Sequence, residues 1–180
     1  NRGTLTLTNS TVSENTATDS GGGIANSGSA NLSFSTITNN QATREGGGIR
    51  IHEGTVNLKG VILANNTSGS GPDCSGSLIS HGYNLIKSTE GCSFTERPTD
   101  ILNKDPLLGP LADNGGPTKT HLPAANSPVL DRVPHQECTA LGGEALSTDQ
   151  RGVRRPQGTH CDIGAVERQS TDRRPRVRVP

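Results

Sequence analysis

The run Gly21-Gly22-Gly23-Ile24 returns as Gly46-Gly47-Gly48-Ile49, and the residues ahead of each copy keep the same register. Leu7 maps to Leu32, Val12 to Ile37 and Asn15 to Asn40, each 25 positions on. A looser third copy carries Leu32, Ile37 and Asn40 to Leu58, Leu63 and Asn66 at an offset of 26. A fixed period of this size marks a supersecondary unit stacked on copies of itself, a solenoid.

The residues inside each unit decide the kind of solenoid. Leu5 and Leu7, Leu32 and Phe34, Val56 and Leu58 alternate with Thr, Asn or Ser. That is the period of a strand, and no helical spacing crosses the same window. The glycine triplets mark a corner that needs positive φ or close backbone approach, after which Ile24 or Ile49 re-enters the interior. Asn15, Asn40 and Asn66 recur at one corner, where stacked amides would bond along the solenoid axis and satisfy turn backbone that lacks a ladder partner. The expected fold is all-β, a right-handed single-stranded parallel β-helix, with about three coils in residues 1–70.

Leu, Ile, Val and Phe total 35 of 180 residues, just under the roughly one-fifth level where disorder is suspected. Disorder also needs net charge, and here 17 basic residues cancel 17 acidic ones. A β-helix tolerates such a composition because its thin interior takes small and β-branched side chains. No apolar stretch approaches the ~18 residues of a membrane span. The sequence has no initiating Met or secretory signal, and Thr4 to Thr8 already reads as a strand in mid-repeat. It is therefore read as the C-terminal part of a larger protein.

Cys74, Cys92, Cys138 and Cys161 match no zinc-ligand spacing. Three disulfide connectivities are open, with four free buried thiols as the alternative. The sequential pairing is favoured because each pair lies within one irregular segment. Each such bridge would be worth roughly 3 kcal/mol and would imply an oxidising compartment.

After residue 70, Gly and Pro break the pattern. Leu78-Ile79 and Leu85-Ile86 still read as coil strands around a turn at Gly82, and the rest of 71–167 reads as an irregular C-terminal cap. The motifs GPDCSGSL (71–78), GYNLI (82–86), DPLLGPLADNGGPTKTHL (105–122), SPVLD (127–131), TDQRGVRRP (148–156) and CDIGAVE (161–167) occur in order. Together they resemble the choice-of-anchor Q domain of bacterial secreted and surface β-helix proteins, often ones with a CSLREA-type N-terminal region. The preceding coils resemble polymorphic-outer-membrane-protein repeats on a pectin-lyase-like solenoid. The resemblance implies a β-helix segment adjoining a variable surface anchor, and it brings no catalytic residues.

Residues 168–180 place Arg168, Arg173, Arg174, Arg176 and Arg178 against Asp172, a net +4 that leaves −4 on the body. This reads as a solvated tail, with attachment to anionic wall polymer or lipid headgroups as the functional alternative. Nucleic acid is not expected as a partner, since one Tyr, two Phe and no Trp leave little to stack on bases.

Acid–base candidates are Asp105, Asp113, Asp131, Asp149, Asp162 and Glu167, with Lys119, His121 and Arg151 as partners. Most of these acids sit beside turn residues, where Asp bonds its own backbone. Asp149 and Arg151 fall on one side of a strand-like 148–153, with Asp162 as a second carboxylate for Arg151, and are expected to form a structural ion network. Asp113, Asn114 and the Gly115-Gly116-Pro117 carbonyls offer oxygen ligands for calcium, but neither an EF-hand nor a calcium β-roll spacing is present. No cofactor is expected. The leading function is a non-enzymatic, bacterial secreted or cell-surface structural or adhesion module that contacts wall or surface polymer, or other surface proteins. A fragment of a polysaccharide lyase or glycosidase is the first alternative. A glycan-binding module is the second, weakened by the scarcity of aromatic rings.

Overall fold

The computed structural model describes residues 1–169. The first coil holds β1 (Thr4–Thr8), β2 (Thr11–Ser13), β3 (Thr16–Ala17) and β4 (Ile24–Asn26). The second holds β5 (Ser29–Ser33), β6 (Thr36–Thr38), β7 (Gln41–Ala42) and β8 (Ile49–Ile51), and the third β9 (Thr55–Lys59), β10 (Ile62–Ala64) and β11 (Cys74–Ser77). A shorter turn follows with β12 (Ile79–Ser80), β13 (Leu85–Ile86), β14 (Cys92–Ser93) and β15 (Ile101–Leu102). Strands at the same place in successive coils pair in parallel, giving three main sheets, β1-β5-β9-β12, β2-β6-β10-β13-β15 and β4-β8-β11-β14. The fold is an all-β parallel solenoid. Among the described residues no helix is long and apolar enough to cross a membrane.

The sequence offsets are the register of these sheets. Leu7 lies beside Leu32 and Leu32 beside Leu58; Val12 lies beside Ile37 and Ile37 beside Leu63. These columns, with Ile24 and Ile49, fill the interior. A slip of one residue would turn a whole column outward, so burial itself fixes the pairing.

The glycine corner divides its work. Gly21 and Gly46 take φ of 73° and 65°, which only glycine adopts without penalty. The next glycine is needed for closeness instead. A Cβ on Gly22 would strike the carbonyls of Gln41 and Gly47, and one on Gly47 those of Thr67 and Pro72.

At the asparagine corner, Asn15 Nδ2 donates to Asn40 Oδ1 at 2.8 Å and Asn40 Nδ2 to Asn66 Oδ1 at 3.0 Å. Asn66 Nδ2 ends the run on Asp73 Oδ1 at 2.9 Å. Each amide also serves the backbone: Asn40 Oδ1 accepts from Asn15 N, Asn66 Oδ1 from Asn40 N, and Asp73 Oδ1 from Asn66 N. An aspartate suits the end because it only accepts. The same arrangement recurs where Asn84 takes Val61 N–H at 3.0 Å and donates to Asp100.

The irregular segment expected to cap the solenoid lies along its flank. It carries two antiparallel pairs, β16 (Leu108–Ala112) with β17 (Thr120–Pro123) and β18 (Val133–Pro134) with β19 (His160–Cys161). Ala165 N–H bonds Thr36 Oγ1 in the second coil, Gly164 N–H bonds Gly60 O in the third, and Thr11 Oγ1 in the first meets Gln150 Oε1. Val129, Val133, Cys138, Leu146, Cys161 and Ile163 pack with Phe34, Ile62, Ala64 and Leu85. The β2-β6-β10-β13-β15 sheet is therefore covered on both faces in its middle strands. Accordingly β6, β10 and β13 are buried at both parities, as in any sheet with two covered faces.

Disulfides join Cys74 to Cys92 and Cys138 to Cys161, with Cα separations of 5.3 and 6.2 Å. The first ties β11 to β14, and the second closes a loop within the irregular flanking segment, the flap. Of the basic tail, residues 170–180 lie outside the described residues. Arg168, grouped with that tail in the sequence, is buried in the flap, with its guanidinium on the Pro123 carbonyl.

Candidate functional site

The charged residues of the flap form a buried network. Asp149 Oδ1 accepts the backbone N–H of Arg151 and Val153 at 2.7 and 3.0 Å, shaping the turn between them. Its Oδ2 receives Arg151 Nε and a terminal guanidinium nitrogen at 3.1 and 3.0 Å. Arg151 then reaches the carbonyls of Asn114 and Glu167. It does not meet Asp162, the second carboxylate expected for it. Asp162 accepts Asp131 N and Arg168 N instead, both at 2.7 Å, and so ties two distant stretches of the flap together.

The second ion pair is Arg155 with Glu167, at 2.9 Å. Arg155 also donates to the carbonyls of Asp162 and Gly164 and lies 4.9 Å from the centre of the Phe34 ring. Glu167 further accepts Gln157 N and Asp162 N, both at 3.1 Å. Burial pushes Glu167 up to about 7, helped by the nearby Asp162 charge and opposed by Arg155. Burial also raises Asp162 and lowers Arg155. Sequence reasoning missed this pair. The two residues are separated in the chain by a turn and a strand, and only tertiary packing, which sets Arg155 over Phe34, brings them together.

The other candidates serve the backbone or the surface. Asp105 accepts Leu107 N and pairs with Lys87 at 2.6 Å; the Lys87 bond holds its carboxyl below the usual range. Asp113 accepts Gly115 N, as an Asx turn does. Asp131 and Lys119 are exposed. His121 is buried, with Nδ1–H on Gly109 O at 2.8 Å. In the region considered for calcium, the Asn114 carbonyl receives the Arg151 guanidinium and its amide donates to Thr120. Among the described residues no group of three His, Cys, Asp or Glu is placed to hold a metal ion.

The accessible arrangement that repeats with the coils is the outer face of β1-β5-β9. Thr6, Asn31 and Asn57 stand in one row across the strands, and Thr8, Ser33 and Lys59 in the next. Asn57 Nδ2 donates to Asn31 Oδ1 at 2.9 Å, and His81 Nε2–H donates to Asn57 Oδ1 at 3.1 Å. Lys59 reaches Glu137 at 3.1 Å and Thr139 Oγ1 at 2.8 Å, while Leu141 N–H bonds Ser33 Oγ at 3.0 Å. These contacts hold the 137–141 stretch as a wall. The result is a groove of about 420 Å³ lined by Thr6, Thr8, Asn31, Asn57, His81 and Leu141 among others. Its amides and hydroxyls donate and accept without net charge, the chemistry that meets another hydroxyl-rich surface. The sequence did hold a signal for it, since Asn31 and Asn57 sit 26 apart at outward positions.

Residues 34–51 match the model of the Chlamydia polymorphic membrane protein repeat. The matched stretch runs from the Phe34 corner through β6, β7 and the Gly46–Gly48 corner to β8, so the likeness lies in the coil scaffold and includes neither Asn31 nor Asn57. No curated protein and no solved structure matches the chain.

Proposed function

We propose that this chain is a non-enzymatic β-helix module of a bacterial surface or secreted protein. The outer face of its first sheet is the contact surface for wall polymer or for another surface protein. The observation that carries this reading is the row of neutral hydrogen-bonding groups repeated from coil to coil, a rigid array with a spacing of about 4.8 Å between strands. Of the six acids weighed for glycoside hydrolysis or lyase chemistry, five serve the fold. Asp149, Asp162 and Glu167 are buried among donors, and Asp105 and Asp113 hold turns. Two disulfides suit an extracytoplasmic setting, and the repeat match suits a surface protein. The ordered motifs of residues 71–167 support membership of the choice-of-anchor Q type.

The test is retention of the oxidised chain on purified bacterial wall material, with Asn57→Arg as the variant that fills the groove. Retention should fall on that substitution with Tm unchanged. No retention of the natural chain overturns wall polymer as the partner, and equal retention of the variant overturns the groove as the contact face. Release of unsaturated or reducing ends from polyuronides or neutral glycans overturns the non-enzymatic one.

A further inference from the structure

A second cavity, of about 640 Å³, opens in the flap and shares no lining residue with the groove. Its walls combine two kinds of surface. Leu146 and the Cys138 half of the disulfide provide an apolar side, and Ser147 contributes a hydroxyl. His135, Arg154 and Arg155 line the same space, and among the described residues no carboxylate does. Arg154 and His135 are exposed, and among the described residues neither side chain is held in an ion pair. Arg155 is 3% exposed and its Nε is buried without a hydrogen-bond partner. Glu167 pairs with one terminal nitrogen of Arg155 and the Gly164 carbonyl takes the other.

We infer that this cavity binds an acidic sugar, a hydroxyl-rich ring carrying one carboxylate or phosphate. The anion meets Arg154 and His135, where the guanidinium fork matches an oxyanion. The ring rests on Leu146 and the disulfide and shares hydroxyl contacts with Ser147. A volume within the usual range for small-molecule sites accommodates such a ring. The cavity stands apart from the contact face, so it holds whether or not that face binds polymer.

Titration of the oxidised chain with glucuronic acid, glucose 6-phosphate and glucose, followed by NMR, tests it and separates the two anion sources. One or both acids should shift resonances of residues 135–148 and 154–155, and glucose should bind at least about tenfold more weakly, as expected for loss of one charge-assisted contact. Arg154→Ala should weaken the acid by a similar factor. Because Arg154 is exposed, an unchanged Tm shows that the variant is folded. Shifts confined to other residues, equal binding of glucose, undiminished binding by Arg154→Ala or no binding of either acid each overturn the inference.

Discussion

Shortening the corner asparagines to alanine should cost least at Asn15, more at Asn40 and most at Asn66. The side chain of Asn66, 4% exposed, donates to the carbonyls of Ile37 and Ala64 at 3.1 Å and to Asp73 at 2.9 Å, and accepts from Asn40 N and Nδ2 at 2.9 and 3.0 Å. Asn66→Ala leaves the backbone N–H of Asn40 without an acceptor at a residue only 1% exposed. One buried orphan at about 1–3 kcal/mol and about two further net hydrogen bonds at about 1 kcal/mol each give about 3–5 kcal/mol. Asn40→Ala loses bonds to Val12 O and Thr38 O as well as to Asn66, but the donor it strands belongs to Asn15. Asn15 is exposed, so water replaces the acceptor and the cost falls to about 2–3 kcal/mol. Asn15→Ala should cost less than about 1 kcal/mol. Asn66→Asp adds a stricter case, since its carboxylate would face Asp73, whose own carboxyl burial already raises. That variant should be destabilised at neutral pH and regain stability in acid. With no Trp in the chain, far-UV circular dichroism in urea is the suitable assay, and midpoints are compared at a common m-value. Equal losses at all three positions, or a loss under about 0.5 kcal/mol at Asn66, would refute the ladder as the source of corner stability.

Glu167 should make the fold less stable as pH rises. Its folded value is raised to about 7 from 4.5, so its contribution is fully present below 4.5 and is lost by pH 7, about 3 kcal/mol at most. Buried Asp162 and Asp73 act in the same direction. Melting at pH 5 and pH 8 checks this, and Glu167→Gln should flatten the slope. Opening the Cys138–Cys161 bridge by paired Ser substitutions releases a closure of 23 residues, worth roughly 3 kcal/mol. Hydrogen exchange should then quicken at Gly164 and Ala165 while Leu32 stays protected; uniform quickening would mean that flap and coils unfold as one. Gly47→Ala should cost about 1–3 kcal/mol through its clash with backbone carbonyls. Gly142→Ala, with open space around it, should change stability by under about 0.5 kcal/mol.

The coils were legible because each repeats the same local instruction. Leu7, Leu32 and Leu58 announce an interior column by spacing alone, and the paired columns of the sheets follow it. The flap was not legible in this way. Asp149 and Arg151 lie two residues apart, so alternation brought them together on paper. Among the described residues Asp162 takes no arginine side chain: its carboxylate accepts the backbone N–H of Asp131 and of Arg168, two residues that no local pattern connects to it. Which carboxylate meets Arg155 is likewise set by tertiary packing, with the guanidinium against Phe34 and on Glu167.

The sequence by itself determined the solenoid, its 25- to 26-residue coil, the glycine corner and the asparagine column, because stacking turns a chain period directly into a spatial one. Tertiary structure alone decided that residues 127–168 cover a flank, that Asp73 and Asp100 end the asparagine runs, and that Arg155 pairs with Glu167. These contacts join segments with no shared period. They are selected by which apolar face remains uncovered and which buried charge remains unmatched once the coils have formed.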